Sequence, residues 1–242
     1  MLPACLYNES ANMFTALQTA ERASGLSRAG NYVFQRHLFA YQMALRLGWV
    51  SKKVVEIGCG EGYGMQLLAN HCEHYVAIDK KFPSAYNRQC NTLFTYAQLP
   101  DLSSVGSNSF DTIICFQVIE HIRQDQRLLA EMKRILKPGG KLLLTTPNKL
   151  MSLTRNPFHV REYAPGEMHS VIEQHFARFS MRGIYGNDKV TAYYNRNKAS
   201  VQRITRYDVF NLQHRLPAWL LRLPYNILNH INRLILFSEN DK

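Results

Sequence analysis

Acids almost vanish from the last quarter of this 242-residue chain. Between 178 and 233 the bases Arg178, Arg182, Lys189, Arg196, Lys198, Arg203, Arg206, Arg215, Arg222 and Arg233 meet only Asp188 and Asp208. The formal net charge of +11 is therefore largely C-terminal. It favours anionic partners: nucleic acid, an anionic lipid surface or a phosphorylated substrate. Taken alone, such charge is most simply a solvated surface. Long apolar runs are missing as well. No stretch reaches the ~18 apolar residues of a membrane span. The first residues have neither a basic start nor an extended apolar core, which argues against a signal peptide. Cysteine is sparse and odd in number: Cys5, Cys59, Cys72, Cys90 and Cys115. Scattered thiols of this kind point to a reducing, cytoplasmic setting. No internal repeat or low-complexity tract is visible. With 46% hydrophobic residues, the chain can bury the core of one domain with an appendage.

What is present is concentrated first in Val54-Val-Glu-Ile-Gly-Cys-Gly-Glu-Gly-Tyr-Gly64. Two β-branched residues close a buried strand, an acid follows, and glycines fall at 58, 60, 62 and 64. That spacing lets the backbone turn sharply and lets a ligand approach with no Cβ in the way. Met65, Leu67 and Leu68 then start a helix. A glycine loop at a strand-to-helix turn is where open α/β sheets bind adenosine cofactors. Tyr75-Val-Ala-Ile-Asp79 is a second short strand ending in an acid. Asp79 lies about twenty residues past the first glycine, in reach of both ribose hydroxyls.

Hydrophobic patterning predicts strands near 53–57, 75–78, 92–96, 110–116, 141–146 and 178–185. Helices fit near 31–47, 63–70, 84–90, 124–136 and 165–175, and Gly48 ends the first. Residues 1–25 read as a loose arm or short helix. Alternating strands and helices argue for a parallel sheet covered on both faces. The expected division is an N-terminal helical cap over 1–48, a cofactor-binding core over 49–186 and a basic, partly amphipathic extension over 187–242. In 217–237, Ile227, Leu228, Ile231, Leu234 and Ile235 share one helical face. Such a stripe is expected to pack on its own domain, over part of the substrate cleft or at a dimer contact. A basic amphipathic segment with Trp219 can also lie in a membrane interface.

Five ordered motifs carry a resemblance: Glu56-Ile-Gly-Cys-Gly-Glu-Gly62, Ile78-Asp79, Ser109-Phe-Asp111, Val118-Ile-Glu-His121 and Leu136-Lys-Pro-Gly-Gly140. Over roughly residues 40–185 the chain resembles the class I S-adenosylmethionine-dependent methyltransferases, nearest to the ubiquinone-biosynthesis O-methyltransferase group of bacteria. A dinucleotide oxidoreductase is the alternative, and it lacks the Leu-Lys-Pro-Gly-Gly element. The resemblance implies a Rossmann-like, doubly wound, mostly parallel sheet of the seven-stranded type. It implies S-adenosylmethionine as cofactor and methyl transfer to a hydroxyl of a small-molecule, glycan or lipid-linked acceptor. It assigns Glu56 to the cofactor's amino group, Gly58, Cys59 and Gly60 to its methionine portion, Asp79 to the ribose and Lys80 to the adenine edge. Gln117 joins this set. After the third strand many members carry an acid-Ala pair that reads adenine. This chain has Thr95-Tyr96-Ala97-Gln98-Leu99-Pro100, so Thr95 stands for the acid and Tyr96 is expected to supply backbone bonds or stacking.

Glu120-His121 follows the fourth strand, at the sheet edge where the cofactor lies. A carboxylate beside a histidine can orient an imidazole for general-base work. His159 sits in the long, proline-punctuated loop after the fifth strand, and such loops carry function more often than filler. His121, His159 and Glu120 are thus the candidate catalytic residues. Small-RNA 3′-end methyltransferases, and by similarity some quinone methyltransferases, hold a divalent ion with a Glu-x-x-Glu-His and a distant His. The matching positions here are Gln117, Glu120, His121 and His159. The amide at 117 weakens a hard-cation site, so a metal is not favoured. His71-Cys72-Glu73-His74 lacks a second ligand pair and reads as surface. An RNA-end methyltransferase is the rival suggested by charge, although no aromatic-basic RNA-binding motif is evident. The expected location is cytoplasmic, with peripheral contact at the inner membrane face.

Overall fold

The structure, a computed structural model, describes residues 31–84, 86, 89–206, 208 and 212–238, without the side chains of 31–34, 204, 214 and 229–238. The arm expected over 1–25 lies outside these residues. Five strands, β1 (Lys53–Ile57), β2 (His74–Asp79), β3 (Thr92–Tyr96), β4 (Phe110–Phe116) and β5 (Leu136–Thr145), form one sheet in the order β3-β2-β1-β4-β5. Every neighbouring pair is parallel. The helices are α1 (Asn31–Arg46), α2 (Tyr63–Leu68), α3 (Asp125–Ile135), α4 (Pro165–Glu173), α5 (Asp188–Thr205), α6 (Leu212–Arg215) and α7 (Ala218–Ser238).

The central strands are apolar on both faces because helices cover both. Val54 and Val55 point to opposite sides. Val54 joins Tyr75, Ala77, Ile114 and Phe116 under Tyr41, Ala44, Met65 and Leu68 of α1 and α2. Val55 joins Ile57, Ile78, Ile113 and Cys115 under Leu128, Leu129, Met132 and Ile135 of α3 and Met168 of α4. The chain winds outward from β1 through β2 to β3, then crosses back to β4 beside β1. The carboxyl ends of β1 and β4 therefore flank the switch-point crevice, where such sheets bind ligands.

Three expectations change. Among the described residues the sheet has five strands, not seven, and 178–185 forms no strand, with Phe179, Met181, Ile184 and Tyr185 exposed. The described residues of 84–90 form turn and coil; Ala85, Asn87 and Arg88 lie outside the description. The fifth strand begins at Leu136, running through Pro138 and Gly139, with a register shift against Phe110 and Thr112. An edge strand tolerates proline and a bulge, and Gly139 supplies the positive φ of 78°.

One ionisable side chain is sealed in this fold. Glu56 of β1 is 1% exposed, and its two oxygens accept from Tyr41 Oη at 2.5 Å and Tyr75 Oη at 2.7 Å. Burial pushes its pKa up to about 7, against the two hydroxyls that pull it down. A carboxyl with a raised folded pKa binds its proton more tightly in the native state. Its contribution is therefore full below the unfolded value of 4.5 and is lost as pH rises through 7. The expected loss is roughly 3 kcal/mol. His37, lowered to about 4 by burial and then by Arg36, works in the opposite direction, adding stability as pH rises from 4 towards 6.5. Glu56→Gln isolates the first effect. The stability difference between parent and variant, from urea unfolding at about pH 5 and about pH 8, should shift by roughly 3 kcal/mol in the variant's favour at the higher pH. An unchanged difference would show that Glu56 ionises normally.

Candidate functional site

The loop after β1 is held open by its own backbone. Gly58, Gly60 and Gly62 have φ of 77°, 55° and 90°. The Gly58 and Cys59 amides both donate to Ile78 O of β2, at 2.8 and 3.1 Å. A Cβ on Gly58 would overlap Val118, whereas one on Gly60 would meet nothing within 4 Å. The loop thus packs tightly on the β4 side and opens at Gly60. Asp79, at the end of β2, accepts from Gly60 N at 2.9 Å and from Lys81 N at 3.1 Å, one on each oxygen. It is mostly buried, and each oxygen retains further lone-pair capacity. A glycine cradle with a carboxylate at its lip fits the ribose and backbone contacts of an adenosine cofactor. Asp79 also pairs with Tyr96 across β2 and β3, and Ala97 N donates to Asp79 O at 3.1 Å. Thr95, Tyr96 and Ala97 therefore border the acid, with Tyr96 66% exposed and Ala97 buried. Lys80 is exposed beside them. Glu56 does not open onto the loop. It lies beneath it, where a Cβ on Gly64 would strike its carboxylate, and its partners are two tyrosines.

Across the crevice, Gln117 has a left-handed φ of 56°. Its amide nitrogen donates to Thr145 Oγ1 at 3.2 Å, and its carbonyl accepts from Arg36 Nη2 at 3.3 Å. A 3-10 turn, Ile119–His121, then brings Glu120 and His121 to the carboxyl edge. The loop carrying His159 is tied to this turn: Val160 N and Arg161 N both donate to Glu120 O, at 2.8 and 3.3 Å. Farther along, Tyr163 Oη and Arg161 Nη1 converge on buried Asp125 at 2.8 and 2.7 Å. These ties bring the His121 and His159 rings to 4.9 Å, edge to face.

The hydrogen bonds assign tautomers. His121 Nδ1 lies 3.1 Å from Phe158 O, a carbonyl that can only accept, so Nδ1 carries a proton, and in the neutral ring Nε2 carries the lone pair. His159 Nδ1–H donates to Glu162 at 2.6 Å, and its Nε2 accepts from Asn156 Nδ2 at 2.9 Å. Glu120 accepts from Thr146 Oγ1 at 3.0 Å on Oε2, while its buried Oε1 has no partner. Burial pushes the Glu120 carboxyl up to about 7.

Ligand atoms of Glu120, His121 and His159 lie within 4.8 Å of one another. The donor chemistry is a poor fit for a hard cation. It offers one carboxylate that is readily protonated at neutral pH, an amide at Gln117, and a guanidinium, Arg36, on that amide. The His71–His74 group forms no such cluster among the described residues, and His71, Glu73 and His74 are exposed.

The chain has counterparts among known proteins. Residues 55–144 fit the family profile described as "Methyltransferase domain". A probable S-adenosylmethionine-dependent methyltransferase of Mycolicibacterium smegmatis is 32% identical over 170 residues, covering 64% of this chain and 63% of that protein. Residues 55–144 thus carry a methyltransferase domain, and over 64% of its length the chain is similar to an S-adenosylmethionine-dependent methyltransferase. A ubiquinone biosynthesis O-methyltransferase of Xanthomonas oryzae is 28% identical over 114 residues, 44% of this chain and 48% of that protein. The chain thus spans less than two thirds of either relative. The crystal structure of an S-adenosylmethionine-dependent methyltransferase from Mesorhizobium loti shares the fold, with a TM-score of 0.51 at 16% identity, covering 63% of this chain and 88% of that one.

The site also contains residues that motif reading missed. Arg36 and Tyr41 come from α1, Tyr75 from β2, Thr146 from the end of β5, and Asn156 and Glu162 from the loop. Asn156 and Glu162 left a trace in sequence, each three residues from His159. No described helix of the chain is long and apolar enough to cross a membrane, and no disulfide joins Cys59, Cys72, Cys90 and Cys115.

Proposed function

We propose that this methyltransferase methylates a hydroxyl of a small-molecule, glycan or lipid-linked acceptor, with His121 as the general base. The observation that carries this is the His121 ring at the carboxyl edge, with Nδ1–H donating to Phe158 O, which makes Nε2 the basic nitrogen of the neutral ring. S-adenosylmethionine, when bound, supplies a methyl group already activated by a sulfonium. A hydroxyl is a poor nucleophile, so the chain's task is to align it and accept its proton. His121 accepts that proton, and Glu120 and Phe158 O stand beside the imidazolium that results. His159, held by Glu162 and engaged at Nε2 by Asn156, positions the loop and the His121 ring. Gly58, Cys59, Gly60 and Asp79 hold the cofactor, with Thr95, Tyr96, Ala97 and Lys80 at its adenine side. Gln117, braced by Arg36, closes the opposite wall. Glu56 acts on the cofactor through the loop it supports.

The experiment is methyl incorporation from labelled S-adenosylmethionine into extracted acceptor pools, with products analysed by mass spectrometry. The expected product gains one methylene mass as an ether, and exhaustive chelation leaves its yield unchanged. A methylated amine or nucleic acid would reject the hydroxyl assignment. Activity lost to chelator and restored by Mg²⁺ would reject the metal-free base.

A further inference from the structure

The face that α7 turns to solvent is apolar, and the chain around it is basic. On a helix of 100° per residue, Ala218, Leu221 and Tyr225 share the half-buried side. There the Tyr225 ring lies 6.3 Å from Phe158, and the Arg222 guanidinium lies 5.3 Å over the same ring. Just before α7, Gln213 O and Leu216 O accept from Arg155 at 3.2 and 3.1 Å. The opposite side carries Trp219, Leu220, Leu223 and Ile227, exposed by 69%, 43%, 61% and 45%. The sequence-based stripe was expected to face the domain. Instead its first two members, Ile227 and Leu228, are exposed, while the side chains of Ile231, Leu234 and Ile235 lie outside the described residues.

Charge selects the occupant of this face. Lys189, Arg196, Lys198 and Arg203 on α5, Arg206 after it, and Arg215 and Arg222 on α6 and α7 are all exposed. Of the two acids in that stretch, Asp208 is engaged by the backbone amides of Leu212 and Gln213, at 2.6 and 3.2 Å. A second copy of the chain would bring the same positive charge, and nucleic acid offers nothing to an apolar stripe. An anionic bilayer satisfies both features. The stripe, with its tryptophan, enters the boundary between headgroups and acyl chains, and the cations meet the headgroups.

We propose that α7 and its flanking basic residues seat this chain on an anionic membrane surface. The docked side of α7 rests on Phe158, the neighbour of His159 whose carbonyl orients His121. Docking would therefore hold the base beside the bilayer and favour an acceptor with a membrane-embedded anchor. That consequence rests on the function proposed above; membrane binding does not.

The test is co-sedimentation of the full chain with vesicles of phosphatidylcholine, alone or with about one-third phosphatidylglycerol. Binding is expected only to the anionic vesicles, weakening at least ~10-fold between ~0.1 and ~0.5 M NaCl. The double variant L223E/I227E should lose at least ~10-fold in vesicle affinity while keeping its circular dichroism and its S-adenosylhomocysteine affinity. Should that variant not fold, K198Q/R203Q tests the charge on an intact stripe and should weaken low-salt binding several-fold. Absence of binding, equal binding to neutral vesicles, or equal binding by folded L223E/I227E overturns the proposal. So does unchanged binding by K198Q/R203Q. A concentration-dependent dimer in sedimentation velocity that L223E/I227E abolishes would assign the stripe to a second copy, and also overturns it. Vesicle binding needs no methyl acceptor, so its failure is separable from failure of the proposed chemistry.

Discussion

Replacing His121 with Ala is expected to lower turnover by ~10²–10⁴ while leaving S-adenosylhomocysteine affinity close to that of the parent. The separation follows from geometry. His121 lies on the 3-10 turn after β4 and touches the loop after β5, whereas the glycine cradle and Asp79 belong to β1 and β2. His159→Ala should cost less, because its Nε2 is already engaged by Asn156 and its role is to hold the loop. Phe158 N donates to Asn156 Oδ1 at 3.0 Å, so Asn156 can keep part of the loop's shape without His159. Single-turnover rates with saturating cofactor, beside calorimetric titration of S-adenosylhomocysteine, measure the two effects separately. His121→Gln supplies the control, since it can donate to Phe158 O but offers no basic nitrogen. Full turnover in His121→Ala would remove the base assignment. Recovery in His121→Gln would reduce His121 to a positioning residue.

What could be read from sequence was what the chain specifies locally. Val54 and Val55 alternate towards two cores, so β1 and its neighbours were legible in place and nearly in length. The glycine spacing and the acid ending β2 gave the loop and Asp79 their places at the sheet edge. Residues 178–185 carry β-favouring apolar residues too, but these express a preference for a half-buried surface, and among the described residues the fold supplies no partner strand there. Helix α5 was missed because its Tyr, Asn and Thr content gives weak helical preference and no clear apolar stripe. In the site, Glu120, His121 and His159 were legible as types at an edge. Their tautomers were not, since these depend on Phe158 O, Asn156 and Glu162, which only the folded loop brings into reach. Glu56 shows the same limit from the other side. Its position after two valines was informative, yet its partners Tyr41 and Tyr75 come from another helix and strand.

Asp79→Ala should weaken S-adenosylhomocysteine binding by about 2–4 kcal/mol, a loss on the order of 30- to 1,000-fold. Two effects combine in this figure. The carboxylate would no longer take charge-assisted bonds from the ribose hydroxyls, and the Gly60 and Lys81 amides would lose the acceptor that sets the loop. Asp79→Asn separates them. Its amide oxygen can still accept from one backbone amide, but the negative charge is gone, so it should fall between the parent and Asp79→Ala. Gly58→Val tests the other wall of the cradle. A side chain there meets Val118 and must adopt a φ of 77° that β-branched residues avoid, so binding should fall below detection. Melting temperature of each unliganded variant distinguishes a reshaped loop from a fold that has collapsed. Asp79→Ala that keeps its fold and binds S-adenosylhomocysteine as tightly as the parent would place the ribose elsewhere, and would remove the cradle from the site.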